Sequence, residues 1–171
     1  MVRKASVSHD AAAVAEIYNY YILNSVVTFE ETPIDANEMK QRMESVVSAS
    51  YPWLVYEISG EVVGYAYATR WKGRCAYKHS VESTVYLKNG KSAQGIGTAL
   101  YTELLKLLMQ KNIHAIIGGV ALPNAASVCL HEKFDFQKVA HFKEVGFKFQ
   151  KWIDVAYWQL TLDNRKILES L

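Results

Sequence analysis

The sequence predicts a single α/β domain with a mixed, mostly antiparallel sheet of six or seven strands, flanked by about four helices. Of the 171 residues, 50% are hydrophobic and 21% are charged, which is typical of one ordinary folded domain. Strand-like and helix-like segments follow one another in the order β α α β β β α β α β β, and this order favours a mixed sheet. No linker or repeat interrupts the chain, so one domain is expected over residues 1–171.

The first half of the chain shows two amphipathic helices and then three strands. In order, the predicted elements are a strand at 2–7, helices at 10–24 and 35–48, and strands at 53–59, 61–69 and 80–87. Ser8 and Asp10 are the expected caps of the first helix, and Asp35 opens the second. A loop over residues 25–34 separates these helices. Ser59-Gly60, between two strand-like runs, indicates a hairpin.

The second half alternates strands with helices and closes with two strands. Its predicted elements are a helix at 95–111, a strand at 114–122, a short helix at 124–134, and strands at 136–141 and 146–162. The helix at 95–111 has an apolar stripe made of Ala99, Leu100, Leu104, Leu107 and Leu108. The strand at 114–122 is almost continuously apolar, which is typical of a strand covered on both faces.

Charge and composition exclude several classes of protein. A net charge of +2 argues against a general nucleic-acid binder. No apolar run reaches the roughly 18–20 residues of a membrane span, and the N-terminal residues lack the apolar stretch of a signal peptide. The 2 cysteines form no disulfide framework, and the 5 histidines have no metal-binding spacing. We therefore expect a cytoplasmic protein that uses no metal and binds neither membrane nor nucleic acid.

The segment with the most chemical content is the turn between the strand that ends at Leu87 and the long helix after it. Gly95 and Gly97 open this helix, whose unpaired N–H groups and positive dipole end favour an anion. A P-loop would need glycine where Val85 stands, and a dinucleotide-binding motif would need it at Leu100. Two interpretations remain, namely the pyrophosphate loop of an acetyl-coenzyme A enzyme and a tight turn without a ligand.

Several segments together resemble the GCN5-related N-acetyltransferases, and within that family the phosphinothricin and methionine sulfoximine/sulfone acetyltransferases. The matching segments are Ile17–Asn19, Thr28–Glu31, Arg74–Tyr77, Val81-Glu82, Gln94–Gly97, Asn124–Ser127, Leu130–Glu132, Glu144–Phe149 and Trp152–Asp154. Two positions depart from the family pattern. Ser92 stands where Arg or Gln is usual, and Asp135 stands where a helix C-cap usually has Gly.

The resemblance implies that acetyl-CoA is the co-substrate. The residues implied to bind it are Val85, Tyr86, Leu87, Ser92, Ala93, Gln94, Gly95, Ile96, Gly97, Thr98, Asn124, Ser127 and His131. Glu82 is implied as the general base for the acceptor amine, and His131 as a group that protonates the coenzyme A thiolate or holds a water there. Without the resemblance, Glu82 reads as a solvated strand residue and His131 as a half-buried helix residue.

The resemblance also implies a small amino-acid-like amine as acceptor, direct transfer in a ternary complex, and a homodimer. The residues implied to bind the acceptor are Phe29, Glu30, Arg74, Tyr77 and Lys148. Among them, the Arg74 guanidinium suits the acceptor's carboxylate. Two alternatives stay open. One is a coenzyme A-binding regulatory module that has lost catalysis, and the departures from the family pattern at Ser92 and Asp135 are the reason to consider it. The other is acetylation of a protein amino group.

Overall fold

The computed structural model describes residues 1–162, which form seven strands and four α-helices. The strands are β1 (Val2–Lys4), β2 (Trp53–Ile58), β3 (Glu61–Arg70), β4 (Ser80–Leu87), β5 (Ala115–Leu122), β6 (Gln137–Lys148) and β7 (Lys151–Thr161). The helices are α1 (Val7–Asn24), α2 (Ala36–Ser48), α3 (Ile96–Met109) and α4 (Ala125–Lys133). The last part of the predicted domain, residues 163–171, lies outside the described residues.

All seven strands join one sheet in the order β1-β2-β3-β4-β5-β7-β6. The β4–β5 pair is parallel, whereas every other neighbouring pair is antiparallel. The predicted mixed, mostly antiparallel sheet is therefore confirmed. The β2–β3 hairpin turns at Ser59 and Gly60, whose φ angles of 50° and 85° fit the two-residue turns that twisted hairpins favour.

Helices cover the sheet on both faces, and each face has its own apolar core. On one face, Leu100, Leu104 and Leu108 of α3 are buried in a cluster that also receives partly buried side chains of α4. On the other face, α1 and α2 contribute Val14 and Met43 to a second cluster. β5 is mostly buried, as its apolar sequence predicts. Within residues 1–162, no helix combines the length and the apolar character needed to cross a bilayer.

The start of α1 differs from the prediction. The helix begins at Val7, so Ser8 and Asp10 lie inside it and do not cap it from outside. The Asp10 carboxylate accepts the Ser6 N–H at 2.7 Å and two N–H groups of Arg3 at 2.7 and 2.8 Å. These bonds tie the first turn of α1 to β1. As a result, the strand ends earlier and the helix begins earlier than the local sequence pattern indicates.

The boundary between the last two strands also differs. The prediction separated them at residues 142–145, whereas β6 continues to Lys148 and the chain turns at Phe149 and Gln150, with φ angles of 51° and 59°. The predicted gap is a bulge, because the β6–β7 register shifts between Phe142 and Gly146. A bulge breaks the alternation of side chains, and for that reason the sequence pattern resembles a loop there.

Candidate active site

β4 and β5 pair only at their beginnings and then diverge. Their parallel ladder contains Ser80–Ala115, Val81–Ile116 and Glu82–Ile117 and stops there, although both strands continue for five more residues, to Leu87 and Leu122. The divergence opens a cleft of about 440 Å³, which is lined by residues of α1, β4, β5, α3, α4 and the loop at 25–34. We call this loop, which joins α1 to α2, the acceptor loop. The two strands are therefore separated over most of their length.

The open edge of β4 presents backbone groups to the cleft. The Lys88 N–H donates to the Val63 carbonyl of β3 at 2.9 Å, and the β3–β4 register is regular from there to Arg70–Val81. Backbone groups alternate sides along a strand, so those of Val85 and Leu87 point away from β3 and into the gap. The Tyr21 hydroxyl donates to the Leu87 carbonyl at 2.7 Å. The Val85 N–H is thus placed to meet a ligand's carbonyl oxygen.

The loop before α3 has the backbone form of an anion site. Gly95 is the N-cap residue, with a left-handed φ of 77° that favours glycine, and the first N–H groups of α3 follow it. Gly97 lies in the first turn of α3 against Leu130 of α4, and a Cβ there would lie 3.4 Å from that side chain, an ordinary contact distance. Ser92 and Gly97 line the cleft. The remaining predicted loop residues, Ala93, Gln94, Gly95, Ile96 and Thr98, lie beside these two in sequence and outside the cleft lining.

Glu82 stands at the last paired position of β4, where the two strands part. Its side chain is half-buried and lines the cleft. Within residues 1–162 its carboxylate has neither a hydrogen-bond partner nor an ion-pair partner. Burial raises the pKa of Glu82 above its ordinary value, and the charge of Lys72 partly opposes this shift. A half-buried, unpartnered carboxylate in a cleft is a suitable proton acceptor.

His131 lies on the other side of the cleft, inside a network of polar side chains. It is 3% exposed, so it is more deeply buried than a half-buried helix residue. Its Nδ1 donates to the Ser127 carbonyl at 2.7 Å, which leaves Nε2 to accept the Tyr101 hydroxyl at 3.1 Å. The Tyr101 hydroxyl is also 3.1 Å from the Ser83 hydroxyl. Burial lowers the pKa of His131, despite the opposing effect of its bond to the Ser127 carbonyl, so this imidazole is neutral at pH 7.

Three residues of the site were missed by the sequence analysis, namely Tyr101, Gly118 and Gly119. A Cβ on Gly118 would lie 2.1 Å from His131 Nε2, and one on Gly119 would lie 3.3 Å from Glu82 Oε1. The two glycines therefore leave room for one candidate catalytic side chain on each face of β5. Two adjacent glycines inside an apolar strand are a signal of such close approach, and that signal was available in the sequence.

The start of α4 completes the wall of the cleft opposite β4. Asn124 is the N-cap residue, and its side-chain oxygen accepts the Ser127 N–H at 3.1 Å. The capping role expected for Asn124 is confirmed. Asn124 and Ser127 also line the cleft.

Of the five predicted acceptor residues, only one lies in the lining of the cleft. Phe29 lines the cleft, whereas Glu30 lies outside the lining and accepts two hydrogen bonds from Arg42, at 2.6 and 3.1 Å. Lys148 is 2% exposed and donates to the Thr28 carbonyl at 2.8 Å. Arg74 and Tyr77 are exposed on the connection between β3 and β4 and also lie outside the lining. Contact between these four residues and an acceptor stays a prediction.

The described residues also bear on metal binding and on the charge near the loop. Among residues 1–162, no group of three or more His, Cys, Asp or Glu side chains is arranged to hold a metal ion. Lys88, which follows β4 directly, pairs with Glu61, so its charge is partly neutralised.

Known proteins are similar to this chain in sequence and in fold. The acetyltransferase (GNAT) domain family matches residues 4–157. The phosphinothricin N-acetyltransferase of Streptomyces viridochromogenes is 40% identical over 150 residues, which are 88% of this chain and 81% of that protein. The L-methionine sulfoximine/L-methionine sulfone acetyltransferase of Salmonella typhimurium is 32% identical over 155 residues, which are 91% of each protein.

The fold has a similarly close counterpart among solved structures. The crystal structure of a GNAT-superfamily phosphinothricin acetyltransferase from Sinorhizobium meliloti, in complex with acetyl-CoA, superimposes with a TM-score of 0.91 at 33% identity. The superposition covers 96% of this chain and 89% of that one. The strand separation, the loop before α3 and these matches agree, and we conclude that the chain belongs to the GNAT family of acetyltransferases.

Proposed function

We propose that this acetyltransferase transfers the acetyl group of acetyl-CoA directly to the amino group of a small amino-acid-like acceptor, of the phosphinothricin or methionine sulfone type. The observation that carries the proposal is the unpartnered Glu82 carboxylate at the point where β4 and β5 separate. The names of the two sequence relatives support the acceptor class. Phosphinothricin and methionine sulfone each carry an amino group beside a carboxylate, which fits a site with one base and an exposed arginine, Arg74, on the connection that leads into β4.

The residues on the cleft's wall fit acetyl-CoA, which supplies the thioester carbonyl that the acceptor nitrogen attacks. Within residues 1–162, the backbone groups of Val85 have no strand partner on the cleft side and can pair with the amides of the pantetheine arm, as can the Leu87 N–H. The first N–H groups of α3, after Gly95, suit the pyrophosphate. Asn124 and Ser127 lie on the opposite wall, where they can contact the same arm.

Glu82 and Val85 account for the attack itself. Glu82 accepts a proton from the acceptor's ammonium group, directly or through water, and so frees the nitrogen lone pair. The lone pair forms the new N–C bond, and the electrons of the broken C–S bond leave on sulfur. The second proton that the nitrogen loses then passes to the thiolate, so that the products are the amide and the coenzyme A thiol. The Val85 N–H donates to the carbonyl oxygen while that oxygen carries negative charge. No covalent bond to the protein is needed.

His131 and Tyr101 account for the leaving group. Both line the cleft, and the Tyr101 hydroxyl donates to the neutral His131 imidazole. We assign to this pair the stabilisation of the thiolate through a water, which donates one O–H to the Tyr101 oxygen and the other to the sulfur until the thiolate takes up a proton. The neutral state of His131 matters, because only an unprotonated Nε2 can accept from Tyr101.

The acceptor is assigned to the end of the cleft at Glu82 and the acceptor loop. Phe29 supplies an apolar wall there. Arg74 has no side-chain partner within residues 1–162 and is therefore available to bind the acceptor's carboxylate. Tyr77 is the last residue of the short helical turn Cys75–Tyr77, which begins directly after Arg74.

A homodimer is proposed from the outer surface of β6 and β7. These strands expose six large apolar side chains, namely Val139, Phe142, Val145, Phe147, Phe149 and Trp152. So many exposed apolar side chains on one hairpin are unusual for a monomer's surface and suit a second copy of the chain. Sedimentation equilibrium of the wild type and of Trp152→Ser tests this: a wild-type monomer at micromolar concentration would contradict it.

The acceptor class and the base are tested together by following thiol release. Wild-type enzyme is assayed with acetyl-CoA and a panel of amino acids that includes phosphinothricin and L-methionine sulfone. Glu82→Gln is expected to lower kcat by roughly 10²–10⁴-fold, because it removes the proton acceptor, and to leave the Kd for acetyl-CoA unchanged. Glu44→Gln, on the exposed face of α2, is the matched control and should behave as wild type.

Two results would contradict the proposal. Tight acetyl-CoA binding without turnover on any acceptor would favour the regulatory module, and turnover confined to protein amino groups would favour the other alternative. Full activity of Glu82→Gln at every pH would remove Glu82 as the base.

A further inference from the structure

Two sequence segments that carry the family resemblance lie on the β6–β7 hairpin, and none of their residues lines the cleft. These segments are Glu144–Phe149 and Trp152–Asp154, and the chemistry assigned above uses neither of them. Gly146 and Lys148 in the first segment nevertheless contact the acceptor loop. The contacts join parts of the chain that are 120 residues apart.

Lys148 holds the backbone of the acceptor loop. Its ammonium group is almost fully buried and donates to the Thr28 carbonyl at 2.8 Å. Within residues 1–162 it forms no ion pair, although the charges of Glu31 and Glu30 partly oppose the lowering of its pKa by burial. The centroid of the Phe149 ring is 5.1 Å from Nζ. A buried cation is costly unless its hydrogen bonds are made, so the Thr28 carbonyl is held firmly in place.

Gly146 fixes the position of the Phe29 side chain, which follows Thr28 in the acceptor loop. A Cβ on Gly146 would lie 2.2 Å from Cε1 and 2.3 Å from Cζ of Phe29. The Phe29 ring therefore lies directly against the Gly146 backbone, where no side chain other than hydrogen fits. Since Phe29 also lines the cleft, the hairpin determines where this wall of the cleft stands.

The bulge in β6 sets the position of both contact residues. Residues between Phe142 and Gly146 are looped out of register, and Glu144 has a left-handed φ of 52°. Asp154 of β7 stabilises the bulge, because its carboxylate accepts the Glu144 N–H at 2.8 Å and pairs with His141 at 2.7 Å. A bulge redirects the side chains that follow it, which here are those at the contact positions.

We infer that Gly146 and Lys148 are positioning residues for acceptor recognition, which act by holding Thr28 and Phe29 in the wall of the cleft. Lys148 thus affects the acceptor through the loop and makes no direct contact with it. The inference rests on the proposed function, since it needs the acceptor to bind between Glu82 and the acceptor loop. It assigns a role to the hairpin segments that acetyl transfer alone leaves unused.

The first test is a split between two Michaelis constants. Lys148→Met keeps an unbranched apolar side chain of nearly the same length and removes the hydrogen bond to Thr28. With L-methionine sulfone as acceptor, its KM for the acceptor should rise about tenfold, while its KM for acetyl-CoA stays within about twofold. Lys151→Met, which changes an exposed lysine of the same hairpin, is the matched control. An unchanged KM for the acceptor, or equal rises in both constants, would overturn the inference.

The second test uses shape compensation. Gly146→Ala should lower kcat/KM for the acceptor about tenfold, because the added methyl group displaces the Phe29 ring. Adding Phe29→Leu should restore part of that loss, since a smaller side chain tolerates the methyl group. Additive losses in the double variant would show that the two positions act independently and would contradict the inference.

A third measurement does not depend on acceptor turnover. In Lys148→Met, hydrogen exchange of the backbone amides at 25–34 should be faster than in wild type, while the amides of α3 remain unchanged. Unchanged exchange at 25–34 would overturn the inference even if the enzyme acetylates methionine sulfone. Conversely, a wild-type enzyme that fails to acetylate any amino acid contradicts the proposed function alone, because the exchange experiment still tests the loop.

Discussion

On the co-substrate side of the cleft, the groups that face a ligand are mainly backbone groups of β4 and α3, which are neighbours in sequence. On the acceptor side, the wall depends on residues as far apart as Thr28 and Lys148, which are joined by one hydrogen bond. The comparison shows that one side follows from local conformation, whereas the other exists only when distant segments meet. Variants on the co-substrate side should therefore change the KM for acetyl-CoA, and variants on the acceptor side should change the KM for the acceptor.

The largest effect on the co-substrate side is expected from Gly118→Ala. The new methyl group would meet His131 Nε2 at 2.1 Å, so the imidazole must move and lose its bond to Tyr101. We expect kcat to fall by roughly 10²-fold and the free energy of unfolding to fall by about 1–3 kcal/mol. Steady-state kinetics and urea unfolding measure the two changes.

The control for Gly118→Ala is the same substitution in a variant in which His131 is replaced by alanine. If the clash with His131 is the cause, Gly118→Ala should cost little stability in a His131→Ala background. An equal loss of stability in both backgrounds would mean that the methyl group disturbs another part of β5.

The pH dependence concerns Glu82, which stands where the two sides meet. Burial raises its pKa above the ordinary value of 4.5, and Lys72 opposes part of this shift. Since the base must be ionised, kcat/KM for the acceptor should fall about tenfold per pH unit as the pH drops below the raised pKa. A profile that stays flat down to pH 4.5, in protein that is still folded, would contradict the assignment.

The same shift predicts a gain of stability in Glu82→Gln. A carboxylate with a raised pKa in the folded state stabilises the protein only while it is protonated, and the ionised form is disfavoured by folding. Glu82→Gln should therefore be more stable than wild type at pH 7, and the difference should disappear below about pH 4.5, the ordinary pKa. Thermal unfolding of both proteins across this range measures the difference.

A smaller effect, confined to the co-substrate side, is expected from Gly95→Ala. The residue has a φ of 77°, which costs a side-chain-bearing residue about 1 kcal/mol. Its KM for acetyl-CoA should rise about fivefold, while the KM for the acceptor stays constant, which is the reverse of the pattern expected for Lys148→Met. Gly60→Ala in the β2–β3 hairpin, with a φ of 85°, is the matched control for strain alone.

The smallest effect is expected at the end of α4, where Asp135 replaces the usual glycine. Asp135 has a left-handed φ of 61°, and the bonds from Asp135 N–H to Glu132 and from Phe136 N–H to His131 complete a Schellman motif. Asp135→Gly should stabilise the protein by about 0.5–1 kcal/mol without changing kcat. Asp135→Ala, which keeps the strain, should give no gain in the unfolding midpoint.

The sequence analysis recovered most of the fold because most elements are locally consistent. The order of strands and helices, the hairpin at Ser59-Gly60 and the buried character of β5 are all confirmed. The two errors occur where a side-chain contact with the neighbouring strand decides a boundary. Arg3 and Asp10 bring the start of α1 forward, and Asp154 holds the bulge that divides β6 in the sequence pattern.

The candidate site was predictable to the extent that it depends on backbone conformation. Gly95 and Gly97 mark the turn into α3, and the left-handed φ of Gly95 explains the glycine at that position. Tyr101 looks like one more apolar position of α3, and only its contact with His131 reveals a polar role. Lys148 has the sequence features of a surface lysine, yet it is buried against the acceptor loop.

By itself the sequence determined the elements, their order, the turn into α3 and, through the family resemblance, Glu82 and His131 as the residues to examine. These are properties of neighbouring residues and of motifs, which a linear pattern records. Only the tertiary structure decided that β4 and β5 separate immediately after Glu82, and that the β6–β7 hairpin supports Thr28 and Phe29. Such contacts depend on how whole elements pack. The periodicity of a sequence reports only local structure, so it does not predict a contact between residues that are 120 positions apart.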